Sequence, residues 1–172
     1  MSTHSIRPEF LNALFGEDDL GVVVRTHIYL ESAVNALLDI LILVPHELPR
    51  LRYEQKLKLC CSMGMDKTLF PPLKALGDLR NSFGHNIDTE LTQGALDRLL
   101  ASVSPADRES IISSYKTTRA TTDENLPELF ANLDPKGQLI GVAIWLSETL
   151  DALQEDARKI ENPRVRSCNN AF

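Results

Sequence analysis

The hydrophobic residues of this chain recur with a helical period along most of its length. Between Asp18 and about Leu43 the apolar residues are spaced by three and four, which places them on one broad side of a helix at about 100° per residue. That side carries Tyr29, Ala33, Ala36, Leu37, Ile40 and Leu41. The opposite side carries Arg25, His27, Glu31, Ser32, Asn35 and Asp39. So wide an apolar side predicts a helix that is buried on most of its circumference.

Capping residues, prolines and glycines predict the other helices. Their signals are an Asp, Ser or Thr before the first turn, a proline within the first turn, and a glycine after the last residue. The remaining predicted helices are Pro8–Phe15, Arg52–Met63, Pro71–Gly84, Thr92–Leu100, Ser104–Tyr115 and Asp134 to about Ile160.

Two segments lack a helical period. Residues 116–128 are rich in threonine and charge, which predicts a mobile loop, and residues 162–172 follow Asn162-Pro163 and are predicted to form a flexible tail. No segment shows the sustained alternation of a strand bounded by hairpin turns. The expected fold is all-α, a single helical bundle over residues 1–161 with long central helices and short connections.

Composition agrees with helix packing and limits the possible partners. The 172 residues are enough for one domain with a core that needs no disulfide or metal, and because aromatic residues are only 6%, Leu, Ala and Ile must fill that core. With 24 acidic and 18 basic residues the formal charge is -6. Such a chain does not coat a long nucleic acid by charge alone, so contact with RNA requires a local basic patch or a cleft formed by assembly.

The cysteines and the apolar segments indicate a soluble, cytoplasmic protein. Cys60 and Cys61 are adjacent and Cys168 makes the count odd, which favours reduced thiols over a disulfide framework. The first residues lack the basic and apolar blocks of a secretory signal. The most apolar run, residues 33–44, is too short to span a bilayer, so no membrane contact is expected.

The segment that points most strongly to a chemical function is Arg80-Asn81-Ser82-Phe83-Gly84-His85. Arginine binds phosphate with a planar fork, and histidine transfers protons near neutral pH. Residues five apart on a regular helix are about 140° out of phase. If the helix ends at Gly84, however, His85 is released from that phase and can turn back toward Arg80. Arg80, Asn81 and His85 are therefore candidates to bind and cleave a phosphodiester without a metal.

A structural interpretation of the same residues remains open. Arg80 can instead form an ion pair with an acid such as Asp78 or Glu31. His85 can cap the C-terminus of the helix, where a cationic histidine is favourable.

Two further groups of polar residues are candidates for a supporting role. One stripe of the first long helix carries polar residues at every fourth position, namely His27, Glu31 and Asn35. From this stripe Glu31 can orient Arg80 or His85 on a facing helix. Alternatively, the stripe is an interhelix polar contact or a solvated surface. No third or fourth ligand accompanies this pair, and no phosphate-binding glycine loop occurs, so neither a metal nor a cofactor is predicted. A modest basic cluster, either a solvated face or the lining of an RNA path, comprises Arg50, Arg52, Lys56 and Lys58.

The segment Leu79–Asn86 resembles the signature of the HEPN superfamily (higher eukaryotes and prokaryotes nucleotide-binding domains). That signature is an arginine, a polar residue directly after it, and a histidine a few residues further on at the end of a bundle helix. The resemblance assigns catalytic roles to Arg80, Asn81 and His85. It implies a HEPN-like metal-independent endoribonuclease or RNA-binding protein of a bacterial toxin, defence or stress system. It also implies a homodimer in which two motifs share one cleft.

A second and looser resemblance covers about residues 23–100. The order of Arg25 in a long apolar helix, a helix ending before Gly64, and a helix ending in the arginine–histidine pair is similar to the mannitol operon repressor family. This resemblance implies a non-enzymatic transcriptional regulator that acts through a protein partner. A degenerate bundle that serves as an assembly partner and leaves the motif buried is a third possibility. A protein partner of this chain would be an antitoxin or a regulator. The discriminating feature is whether Arg80 and His85 meet in an open cleft or are packed away in pairs.

Overall fold

The computed structural model describes Leu14 and residues 16–84, 89–122 and 127–159, without the side chains of residues 118, 121 and 122. These residues form six α-helices and no strand, which confirms the all-α bundle. The helices are α1 (Asp19–Leu41), α2 (Tyr53–Ser62), α3 (Phe70–Gly84), α4 (Gln93–Ala101), α5 (Pro105–Thr122) and α6 (Pro135–Lys159). Apart from Leu14, the predicted helix Pro8–Phe15 lies outside the described residues, as does the predicted tail 162–172.

Local capping signals account for where the helices begin. Asp18 is the N-cap of α1, and its carboxylate accepts a hydrogen bond from the backbone N–H of Gly21 at 2.7 Å. Thr92 has the same role for α4, with its hydroxyl oxygen 3.2 Å from the N–H of Ala95. Each side chain satisfies one of the N–H groups that the first turn of a helix leaves without a partner. The prediction of Thr92 as an N-cap is confirmed, and of the two N-caps that the sequence offered for α1, Asp18 and Asp19, the structure shows Asp18.

Gly64 ends α2 and turns the chain toward α3. It has φ 111°, a conformation that favours glycine, and the N–H of Met65 donates to the carbonyl of Cys60 at 2.9 Å across this turn. Asp66 then accepts from the N–H of Thr68 at 2.9 Å and starts the short turn that leads into α3. The connection is therefore tight, and it holds α2 beside α3.

The prediction of a mobile loop at residues 116–128 is wrong for residues 116–122, because α5 continues to Thr122. Threonine and serine are weak helix formers, but the helix continues through this segment. Thr117 donates to the backbone carbonyl four residues earlier at 3.1 Å, and Ser114 donates to Glu148 of α6 at 3.0 Å. Ser114 and Tyr115, directly before the added turns, join α5 to α6 and to Pro127, so tertiary contacts hold the helix where its sequence signal ends. Residues 123–126 lie outside the described part of the chain.

The centre of the bundle is the interface between α1 and α6, the most extensive helix contact among the described residues. Every residue of α6 from Gln138 to Ser147 is buried, while α2 and α3 cover another side of α1, and α5 packs along α6. Gln154 also donates a hydrogen bond across the interface to the carbonyl of Ala33 at 3.1 Å. No described helix has both the length and the apolar character required to cross a membrane. The site discussed below lies on the other side of α1, where it meets α2 and α3.

Candidate functional site

Arg80 and Asn81 lie side by side on the exposed face of α3, near its C-terminal end. Their neighbours Leu79 and Phe83 are 8% and 4% exposed and anchor the opposite face of the helix in the core. The guanidinium of Arg80 donates from Nη1 to Oδ1 of Asn81 at 3.3 Å. The predicted helix end at Gly84 is the last described residue of α3, and His85, bonded directly to it, lies outside the described residues.

The ion pair proposed for Arg80 as a structural alternative does not form among the described residues. Asp78 pairs with Lys74, one helical turn earlier on α3, at 2.7 Å. Glu31 pairs with Lys56 of α2, also at 2.7 Å. Both candidate acids therefore have another cation. Within the part of the chain that the structure describes, the only polar contact of the Arg80 side chain is the amide of Asn81.

His27 is buried, although the helical wheel placed it on the polar side of α1. It is 7% exposed, and its ring packs against the ring of Tyr53 with centroids 4.6 Å apart. Positions that recur every four residues drift by about 40° around a helix. The stripe therefore passes from buried His27 through half-buried Glu31 to exposed Asn35. The prediction that α1 is buried on most of its circumference is nevertheless confirmed, because its exposed positions form a narrow stripe.

His27 and Glu31 come together in a small cluster of charged groups between α1, α2 and α3. Nδ1 of His27 lies 3.9 Å from Oε2 of Glu31, which is too long for a hydrogen bond but close enough for electrostatic attraction. Burial is the main cause that holds the pKa of His27 below its ordinary value, and the charges of Arg80 and Lys56 act in the same direction while Glu31 opposes them. His27 is therefore neutral near pH 7. The charge of Arg80 acts on His27. The predicted catalytic residue Arg80 and the predicted supporting residues His27 and Glu31 therefore lie on the same side of the bundle.

This pKa shift predicts that acid destabilises the fold through His27. The unfolded chain, with the ordinary pKa of 6.5, takes up the proton before the folded protein does as the pH falls. His27 therefore contributes its full stabilisation above pH 6.5, and this contribution is lost as the pH falls from 6.5 toward the lower pKa of His27 in the folded protein. We expect urea unfolding to show a larger loss of stability between about pH 7.5 and about pH 5.5 in the wild type than in His27→Gln.

His46 provides the control for that experiment, because its side chain is 80% exposed. His46→Gln should keep the pH dependence of the wild type. Equal pH dependence in the wild type and in His27→Gln would show that His27 binds its proton equally well in the folded and unfolded states.

Tyr53 closes the inner side of the cluster and was not identified from the sequence. Its ring lies so near α3 that a Cβ atom added to Gly77 would be 2.9 Å from its Cδ1. Its hydroxyl is buried and has no hydrogen-bond partner among the described residues, and burial, followed by the charge of Glu31, raises its pKa. The available signal was Gly77 itself, since a glycine inside a predicted helix often marks a close approach. Gly77 thus allows α2 and α3 to approach each other directly behind Arg80.

Thiol and metal chemistry have no counterpart in the described residues. Cys60 is buried and unpaired, and burial raises the pKa of its thiol to about 12, which makes it a poor nucleophile. Cys61 is half-buried, and its pKa is raised for the same reason. Among the described residues no group of three His, Cys, Asp or Glu side chains is placed to hold a metal ion.

Protein-family models, curated proteins and solved structures give no match to this chain. The chemistry of the site is an exposed guanidinium beside a side-chain amide, next to a partly buried cluster that holds one carboxylate, one ammonium and a neutral imidazole. The exposed pair offers N–H donors and positive charge, both of which suit a phosphate group. The partly buried cluster offers rigidity more than reactivity.

Proposed function

We propose that this chain is a metal-independent endoribonuclease that holds an RNA phosphate with Arg80 and Asn81. The observation that carries the proposal is the exposed guanidinium of Arg80, whose candidate acids Asp78 and Glu31 are paired with lysines instead. A guanidinium with no carboxylate partner among the described residues retains the charge and the forked donors that bind phosphate oxygens. Asn81 holds it in place and offers its own amide donors.

In the proposed reaction the 2′-oxygen of a ribose attacks the adjacent phosphorus. A bond forms between the 2′-oxygen and phosphorus, and the bond between phosphorus and the 5′-oxygen of the next nucleotide breaks. His85 accepts the 2′-hydroxyl proton as general base, and an acid returns a proton to the departing 5′-oxygen, which leaves a 2′,3′-cyclic phosphate and a 5′-hydroxyl. Arg80 stabilises the charge that develops on the phosphate oxygens. DNA has no 2′-hydroxyl and is not cleaved.

A homodimer supplies the second proton-transfer group in this proposal. Two copies of the motif facing one cleft bring two histidines, one as base and one as acid, and two arginines around the same phosphate. Such a cleft is locally cationic although the chain carries a formal charge of -6. The resemblance to HEPN proteins supports this assembly, as well as a place in a bacterial toxin, defence or stress system.

His27 and Glu31 are positioning residues in this proposal. His27 is buried and neutral, and the carboxylate of Glu31 is paired with Lys56. They fix the packing of α1 against α2 and α3, behind the face that carries Arg80.

The test is cleavage of labelled, mixed-sequence RNA in EDTA by the purified protein and by His85→Ala. We expect the wild type to produce fragments that end in 2′,3′-cyclic phosphate, His85→Ala to leave the RNA intact, and DNA of the same sequence to remain whole in both. A thermal melt of each protein verifies the fold. Intact RNA with a folded wild-type protein would refute the endoribonuclease.

Exposed apolar residues favour a second candidate function. Leu43, Val44 and Leu48 are 51%, 41% and 36% exposed within the short segment between α1 and α2. Apolar side chains grouped in this way suit contact with another protein. They support a non-enzymatic regulator that acts through a protein partner, as the resemblance to the mannitol operon repressor family suggests. For that function the RNA stays intact and partner binding survives Arg80→Ala.

A further inference from the structure

A groove of about 650 Å³ opens between the middle of α1 and the segment that leads into α2. Its lining mixes apolar and polar side chains. The apolar ones include Pro45, Leu48 and Leu51, and the basic ones come from the residues that lead into α2 and from its first turn. Its size is typical of a site for a small ligand or a short piece of an extended chain, and a duplex would not fit within it.

The cations of the groove are largely without partners. Lys56 is paired with Glu31, but among the described residues no ion pair involves Arg50 or Arg52, both of which are exposed. The lining holds three cations, which are these two arginines and Lys56, against the two acids Glu31 and Asp39, so its net charge is +1. The whole chain carries a formal charge of -6. The groove is therefore a locally cationic region on an acidic protein.

The groove adjoins the cluster behind Arg80. Glu31, Tyr53 and Lys56 line the groove, and the same residues surround His27. The charge of Arg80 also acts on His27. The groove and the guanidinium of Arg80 are thus both linked to one small cluster where α1, α2 and α3 meet.

We propose that this groove binds the single-stranded RNA next to the phosphate held by Arg80, with Arg50 and Arg52 contacting backbone phosphates. The inference rests on the proposed function and names the path of its substrate. A nucleotide matches this mixed lining, since its base offers an apolar surface to Leu48 and its neighbours while its phosphate meets the arginines. A peptide made of acidic residues alone has no base or apolar side chain to place against Leu48 and would use the cations only.

The test measures binding and cleavage separately. A short fluorescent single-stranded RNA is titrated with the wild type and with the double variant Arg50→Glu/Arg52→Glu over a range of potassium chloride concentrations. Two lost phosphate contacts should weaken binding by about tenfold or more and reduce the slope of log K against log salt by about 1.4. The matched control is Arg98→Glu/Lys116→Glu, which makes the same change in charge at exposed positions of α4 and α5 outside the groove and should keep the wild-type slope.

The possible outcomes separate this inference from the proposed function. If the wild type cleaves RNA but the double variant, shown by its thermal melt to be folded, keeps the wild-type affinity and slope, the groove is not the RNA path. If the groove mutations weaken RNA binding as expected but the wild type never cleaves RNA, the groove is supported as an RNA-binding site and the endoribonuclease is refuted. If RNA is not bound and an oligoglutamate peptide binds in a manner that depends on Arg50 and Arg52, the groove belongs to an acidic protein partner and the RNA path is refuted.

Discussion

Arg80→Ala is expected to reduce RNA cleavage by a factor of about 10²–10³, the usual effect of removing one group that stabilises developing charge. The side chain is exposed and has no carboxylate partner among the described residues, so its loss breaks no ion pair there. The fold should therefore survive, with the free energy of unfolding unchanged within about 0.5 kcal/mol. Initial rates of cleavage in EDTA, together with urea unfolding of the same preparations, measure both quantities.

Two companion variants make this result specific. Arg98→Ala removes an exposed arginine of α4 and should cleave RNA at the wild-type rate. Arg80→Lys keeps the charge but loses the planar fork, so it should recover only part of the activity. If Arg80→Ala cleaves RNA as fast as Arg98→Ala does, Arg80 takes no part in the cleavage reaction.

A spectroscopic effect should accompany the loss of activity. The charge of Arg80 is one of the causes that hold the pKa of His27 down, so Arg80→Ala should move that pKa upward, toward its ordinary value. NMR titration of the imidazole measures this shift directly. An unchanged titration would show that the guanidinium lies too far from His27 to belong to the same site.

The helix starts and stops could be predicted because their causes are local. Asp18, Thr92 and Gly64 act on backbone groups within a few residues of themselves, so the chain around each carries the whole signal. The extension of α5 beyond Tyr115 could not be predicted in this way, because residues 116–122 have weak helix propensity and no apolar period. The tertiary contacts just before them, Ser114 with Glu148 and Tyr115 with Pro127, join residues 34 and 12 positions apart.

In the candidate site, the contacts between residues close in the sequence could be predicted, and those between helices could not. Lys74 and Asp78 are four residues apart on one helix, a spacing that favours their ion pair and argues against Arg80 as the partner of Asp78. The pair of Glu31 with Lys56 joins two helices, and no periodicity predicts it. The burial of His27 depends on how α1 is rotated against α2 and α3. A helical wheel gives the relative angles of the residues, but the packing decides which angle faces the core.

Leu30→Ala is expected to lower the free energy of unfolding by about 2–5 kcal/mol, the largest effect on stability among the changes considered. Leu30 is fully buried on α1, the helix that also carries His27 and Glu31. The loss combines the removal of apolar surface from the core with the cavity that the close-packed helices cannot fill completely. Urea unfolding followed by circular dichroism measures it.

Ile28 is the matched control, because it lies on the same helix two residues earlier and is 61% exposed. Ile28→Ala also shortens an aliphatic side chain, but it removes little buried surface, and alanine favours the helix more than isoleucine does. We expect its stability to stay within about 0.5 kcal/mol of the wild type. Equal losses for the two variants would mean that α1 is rotated from the orientation described here. His27 and Glu31 would then no longer face α2 and α3, and the cluster behind Arg80 would lose its geometric basis.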